Sequence, residues 1–200
     1  MADIRVENTR NNLKTTMLEL LKTTPIDKLT VSEICKQANI NRVTFYSHYK
    51  DKYQLFIEAV NDIATKVVEL TLKQVKISSK KEDILNFCLA LFNNSLDIIY
   101  EARETVFAMG KKENSMLIFI IQTQIKNIIH NLLKVLTKND TPRYPLDIIA
   151  AFIVGGFSQI FYQWVAVRKS FDIEELRKYG LVIIKDIFNT GLLIEKKPNH

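Results

Sequence analysis

The densest run of side chains able to do recognition chemistry is Asn41, Arg42, Val43 and Thr44. In the major groove, arginine pairs bidentately with guanine and asparagine with adenine. The methyls of valine and threonine meet the thymine methyl. Thr30, Tyr46, His48 and Lys52 surround this run with hydroxyl, imidazole and ammonium groups, the types that hold phosphate oxygens and fix register on a duplex. Such a set implies double-stranded DNA as the partner, provided one rigid element presents it. The flanking residues supply that element. Thr30-Val31-Ser32-Glu33 is a capping box that opens a short helix, and Val31, Ile34, Cys35 and Ala38 form its inward face. Asn39 tolerates the left-handed conformation that ends a helix, and Ile40 plugs the turn. Asn41 is a good N-cap for a third helix reaching about Tyr49. Two short helices joined by about three residues form a helix-turn-helix, whose second helix enters the major groove.

The rest of the chain reads as helices that carry this motif. Leu13, Met17, Leu20 and Leu21 make one stripe of a first helix, from about Glu7 to Thr23. Thr24-Pro25 stops it. Asp51 caps a long fourth helix from Lys52 to about Val75. After a polar linker, Leu85, Cys88, Leu89, Phe92 and Leu96 mark another helix, and Gly110 to Asn114 break it. Further helices are expected over Met116–Leu136, Leu146–Val167 and Ile173 to about Leu193, the last capped by Asp172. The fold class is therefore all-α: an N-terminal three-helix DNA-binding domain over residues 1–52, then a larger helical domain over residues 53–200.

Composition agrees. The 200 residues are 47% hydrophobic, with only 5 glycines and 4 prolines, too few turn residues for a long β-meander. The formal charge of +6 points weakly to a polyanion. Residues 1–55 hold nine basic and six acidic side chains, a net of +3, so a single copy should bind DNA weakly and in a salt-dependent way. Cys35 and Cys88 sit in apolar stretches without zinc-ligand spacing. No metal or cofactor is expected. His130 and His200 have no catalytic partners nearby, and no phosphate loop or nucleophile elbow occurs, so no catalytic residue is assigned. The N-terminus lacks an apolar signal region, and the run Ile148–Phe157 falls short of the roughly 20 residues a membrane span needs. A soluble, cytoplasmic protein is expected, with no membrane partner.

In register with these readings stand Thr30, Val31, Ile34, Ala38, Thr44, Phe45, Tyr46, His48, Tyr49 and Lys52. Together they resemble the DNA-binding signature of TetR-type (tetracycline repressor) transcriptional regulators. Asn39 stands where that family usually has glycine, Asn41 where serine is common, and Tyr49 where phenylalanine is commoner. The first two changes preserve αL tolerance and N-capping. The stretch Ala151 to Gly156, with Ile160 and Trp164, is similar to the penultimate helix of the dihydroxyacetone kinase operon regulator branch.

The resemblance implies that the second domain binds an effector and dimerises, and that the protein is a homodimeric regulator, a repressor released from a palindromic operator by a small molecule. The alternative is a DNA-binding adaptor whose second domain docks a protein partner. A small-molecule pocket has apolar walls and a few polar groups. Its candidate lining is Cys88, Phe92, Phe107, Phe119, Gln122, Phe152 and Gln159. Gly155 and Gly156 inside a helix mark either crowding within one subunit or close approach at a dimer interface. Tyr179, Ile183 and Ile187 on the final helix extend that candidate interface.

Overall fold

The computed structural model describes residues 2–76, 81–105, 115–138, 142–167 and 172–189. The helices are α1 (Ala2–Leu20), α2 (Val31–Ala38), α3 (Arg42–His48), α4 (Lys52–Gln74), α5 (Lys81–Glu101), α6 (Ser115–Leu136), α7 (Leu146–Val167) and α8 (Ile173–Asn189). α1 starts five residues earlier than its apolar stripe suggests, because Ile4, Arg5 and Val6 continue the helix on an exposed face. The last turn of the expected final helix, beyond Asn189, and the break at residues 110–114 lie outside the described residues.

The chain divides into two compact units. The first comprises residues 1–63 with 103–124, the second residues 64–102 with 125–200. The expected domain boundary at 52/53 coincides with the start of α4, whose first half belongs to the first unit and whose second half to the second.

In the first unit, Leu13, Met17 and Leu21 of α1 pack with Ile26 and Leu29 of the following turn, with Ile34, Cys35 and Ala38 of α2, and with Phe45, Tyr49, Leu55 and Phe56. Ile120 and Ile121 of α6 add to this cluster. The second unit holds two clusters. Ile84, Phe87, Leu133, Ile149, Ala150 and Phe188 form one, and Phe92, Leu96 and Leu176 form the other, with Phe157, Ile160 and Leu181 against them. α2 and α3, of 8 and 7 residues, are marginal alone in water, so burial of their apolar faces holds them.

α8 docks on α5 by shape and by charge. A Cβ placed on Gly180 would lie 2.2 Å from Cζ of Phe92, so only glycine admits that ring. Nearby, Arg177 donates from Nη1 to Asn93 Oδ1 at 3.0 Å and from Nη2 to Asp97 Oδ1 at 2.6 Å. α4 and α5 are joined by a closed polar set. The Asn94 amide donates to Thr71 Oγ1 at 2.9 Å and to Gln74 Oε1 at 3.1 Å, and the Thr71 hydroxyl donates to the Val67 carbonyl at 2.8 Å. Every member has a partner, which removes the cost of burying it.

Candidate nucleic-acid interface

Local chemistry builds this site in the order the chain runs. The Glu33 amide donates to Thr30 Oγ1 at 3.2 Å, while the Thr30 amide donates to Glu33 Oε2 at 2.7 Å, a complete capping box at the start of α2. The Thr30 hydroxyl, which donates to the same Glu33 oxygen at 2.7 Å, and then the Thr30 amide hold the Glu33 carboxyl below its ordinary pKa. Asn39 ends α2 at φ 54°, in the left-handed region. The Ile40 amide then bonds back to the Cys35 carbonyl at 2.9 Å, and Nδ2 of Asn12 on α1 donates to the Ala38 carbonyl at 2.9 Å. Asn41 Oδ1 accepts from the Thr44 amide at 2.7 Å and starts α3.

α3 has a sharply divided surface. Phe45 and its C-cap Tyr49 are 0% and 1% exposed, while Val43 is 81% and Tyr46 50% exposed. Arg42 and Ser47 share the exposed side, and Thr44 and His48 are half-buried. The Arg42 guanidinium lies 5.9 Å from the Tyr46 ring centroid, a cation–π contact that holds the arginine along the open face. Ser47 was missed by sequence reasoning; its place one turn after Val43 is the signal for it.

The remaining sequence candidates have internal partners. The oxygen of Asn41 is committed to the cap, which leaves its two N–H groups as donors, whereas a bidentate adenine pair needs both oxygen and nitrogen. Thr30 is held by Glu33. Lys52 Nζ donates to the Leu29 carbonyl at 2.7 Å and to the Asp27 carbonyl at 3.2 Å, so two of its three protons bind the turn before α2. The neighbouring Tyr53 hydroxyl donates to Asp27 Oδ1 at 3.0 Å. Asp51 and Gln54 cap α4 reciprocally: the Gln54 amide donates to Asp51 Oδ1 and the Lys50 amide to Gln54 Oε1.

A group that sequence reasoning did not single out lies beneath α3. The Tyr49 hydroxyl donates to Glu58 Oε1 at 2.9 Å. Arg10 on α1 grips both oxygens of the same carboxylate, its Nε lying 3.1 Å from Oε1, and its guanidinium sits 5.8 Å from the Tyr49 ring centroid. Lys14 pairs with Glu58 at 3.3 Å and with Asp62. Burial pushes the Glu58 carboxyl up, but the bonds from Arg10 and Tyr49 outweigh it, and its pKa falls below the ordinary value. Arg10 is raised above its own, mainly by its bond to Glu58. Tyr49 is pushed up to about 12, first by burial. The available signal was the i, i+4 pair Arg10/Lys14 matched by Glu58/Asp62.

The pocket candidates differ in burial. Phe92 is buried in the third cluster and Cys88 packs against the second, where burial raises its thiol to about 11. Phe119 and Phe152 are 68% and 66% exposed. Gln159 is exposed and Gln122 half-buried, while Phe107 lies outside the described residues. A concavity not expected from the sequence opens between α4 and α6. It encloses about 310 Å³ and is lined by Thr65, Val68, Ile128, Asn131, Leu132 and Val135. Of the interface candidates, Gly155, Gly156, Tyr179 and Ile183 are exposed and Ile187 is half-buried.

Among the described residues no group of three or more His, Cys, Asp or Glu is placed to hold a metal ion, and no helix is long and apolar enough to cross a membrane.

Comparison with known proteins places this geometry in a family. The family model described as bacterial regulatory proteins, tetR family, matches residues 16–59, the span from mid-α1 into α4. No curated protein matches the chain. Among solved structures, a protein assigned to the TetR-family transcriptional regulators of Syntrophomonas wolfei is similar with a TM-score of 0.71. It shares 14% identity over 95% of this chain and 99% of that one. NalD of Pseudomonas aeruginosa, the secondary repressor of the MexAB-OprM multidrug efflux pump, gives a TM-score of 0.60 at 15% identity over 96% and 98%. The dihydroxyacetone kinase operon activator DhaS gives 0.55 at 14% identity over 94% and 98%. At such identities these structures establish the fold, and the family model covers the segment that carries the helix-turn-helix. Residues 16–59 thus match the N-terminal domain of the tetR family of bacterial regulatory proteins, and the chain shares its all-helical fold with solved regulators of that family.

Proposed function

We propose that the protein is a homodimeric repressor that binds a palindromic operator and is released by a small-molecule effector. The observation that carries the DNA half of this reading is the divided surface of α3: Arg42, Val43 and Tyr46 stand open on a helix anchored from below by Phe45 and Tyr49. Arg42 and Val43 read bases, with Thr44 at the edge. Asn41 contributes through its amide hydrogens. Tyr46, His48, Thr30 and the remaining proton of Lys52 hold phosphates.

Dimerisation is supported by two exposed apolar faces. On α7, Ile148 and Phe152 stand 63% and 66% exposed, followed by Gly155 and Gly156. On α8, Tyr179, Val182 and Ile183 stand 52%, 49% and 42% exposed. Large apolar side chains concentrated this way suit a second copy of the same face. A dimer would place two recognition helices about 34–36 Å apart, one DNA turn. The cleft between α4 and α6 supports the effector half, since its walls are apolar and Thr65 and Asn131 provide the fixed polar groups a ligand needs. A ligand that binds one α4 arrangement more tightly than another would shift operator affinity. The exposed Phe119 favours a second reading, in which a protein partner replaces the small ligand.

Selection from random duplexes tests the reading. An enriched palindrome is expected, with Arg42→Ala binding it about 1–3 kcal/mol more weakly and with relaxed preference. Enrichment of no sequence would end the DNA-binding proposal. Val68→Trp, which fills the cleft, should leave operator binding intact and abolish release by any ligand that releases the unaltered protein.

A further inference from the structure

We infer that the Tyr49 hydroxyl is a positioning group for DNA reading: through Glu58 it fixes the angle at which α3 is presented, with Arg10 holding the carboxylate in place. The inference rests on the proposed reading of α3 as the base-reading helix.

α3 spans only Arg42–His48, and its anchorage in the core comes from two aromatic rings, Phe45 and Tyr49, whose centroids lie 5.8 Å apart. Apolar burial is non-directional. It keeps the two rings inside but does not by itself stop a seven-residue helix from rocking about them. Hydrogen bonds are directional, and the bond from the Tyr49 hydroxyl to Glu58 Oε1 at 2.9 Å supplies the missing restraint at the C-cap of α3.

The acceptor is itself immobilised. Glu58 sits two turns into α4 and is held by the Arg10 fork and by Lys14, both on α1. The C-terminal end of α3 is thereby referenced to two long helices at once. A phenylalanine at position 49 would fill the same space and leave Glu58 still paired with two cations. The hydroxyl is therefore separable from the fold.

The test uses the full-length protein and the duplex enriched from a random pool, with a scrambled duplex of equal length as the non-specific control. Tyr49→Phe is expected to lower the ratio of specific to non-specific affinity about fivefold, the scale of one ordinary net hydrogen bond. Binding to the scrambled duplex should be unchanged, at a temperature where circular dichroism shows both proteins fully helical. In a Glu58→Ala background the same substitution should have no further effect. An unchanged ratio, an equal loss on both duplexes, or an additive effect in the Glu58→Ala background would each overturn the inference. If Glu58→Ala does not fold, the Tyr49→Phe ratio decides alone. If no duplex is enriched by the unaltered protein, the DNA-reading proposal fails first and the positioning role falls with it.

Discussion

Glu58 carries more interactions than any other carboxylate around α3: Arg10, Lys14 and Tyr49 all reach it. Its pKa is lower in the folded protein than its ordinary value, because those donors outweigh the cost of burial. A carboxyl with a lowered folded pKa contributes stability that is complete above its unfolded value, roughly 4.3, and that disappears as pH falls through the folded value. The melting temperature should therefore drop below about pH 4.5, and Glu58→Gln should flatten that part of the profile. Thermal melts from pH 3 to 7 would check it; an unchanged slope in the variant would mean that other carboxylates govern acid unfolding. A second residue-scale expectation concerns Lys52. Its ammonium serves two carbonyls of the turn before α2, so Lys52→Met should cost about 1–3 kcal/mol of stability, besides weakening DNA binding. A urea titration separates the two effects. Loss of DNA affinity with no loss of stability would assign Lys52 to phosphate alone.

At the scale of elements, the glycines divide by what surrounds them. Gly180 lies against Phe92, and Ala there should cost about 1–3 kcal/mol through overpacking, read as a lower unfolding midpoint. Asn39 differs, because its constraint is backbone conformation. Asn39→Gly should be neutral or mildly stabilising, whereas Asn39→Ala at φ 54° should cost about 1–2 kcal/mol. The helix-turn-helix was legible because its determinants are local. The Thr30–Glu33 box, the Asn39 turn and the Asn41 cap each connect residues three to five apart, and their residue types announce those bonds. The Arg10–Glu58 link spans 48 positions and the Arg177–Asn93 link 84. Nothing within either segment specifies its partner until the helices pack. The burial of the pocket candidates was illegible for a similar reason. Apolar periodicity tells which residues leave water, but a core ring such as Phe92 and an exposed ring such as Phe152 have the same spacing signature.

For the whole molecule, the Gly155-Gly156 pair separates two explanations that composition left open. Among the described residues nothing lies within 4 Å of a Cβ built at either position, so crowding against those residues does not account for them. Gly155→Ala should raise the intrinsic stability of a single subunit by up to about 1 kcal/mol through helix propensity. If α7 meets a second copy at this point, the same change should weaken the dimer. Sedimentation equilibrium beside chemical denaturation distinguishes these signs, and a dimer unaffected or strengthened by Gly155→Ala would remove Gly155 from the interface.

The fit of Phe92 on Gly180 also bears on how such a chain can change over generations. The two positions share one fixed volume, and neither can grow alone. Either order passes through a less stable intermediate: alanine at 180 first overpacks the ring, and a shorter residue at 92 first leaves a cavity. Lineages of this protein should therefore carry paired states at positions 92 and 180. That pairing follows from the 2.2 Å that would separate a Cβ at 180 from the Phe92 ring.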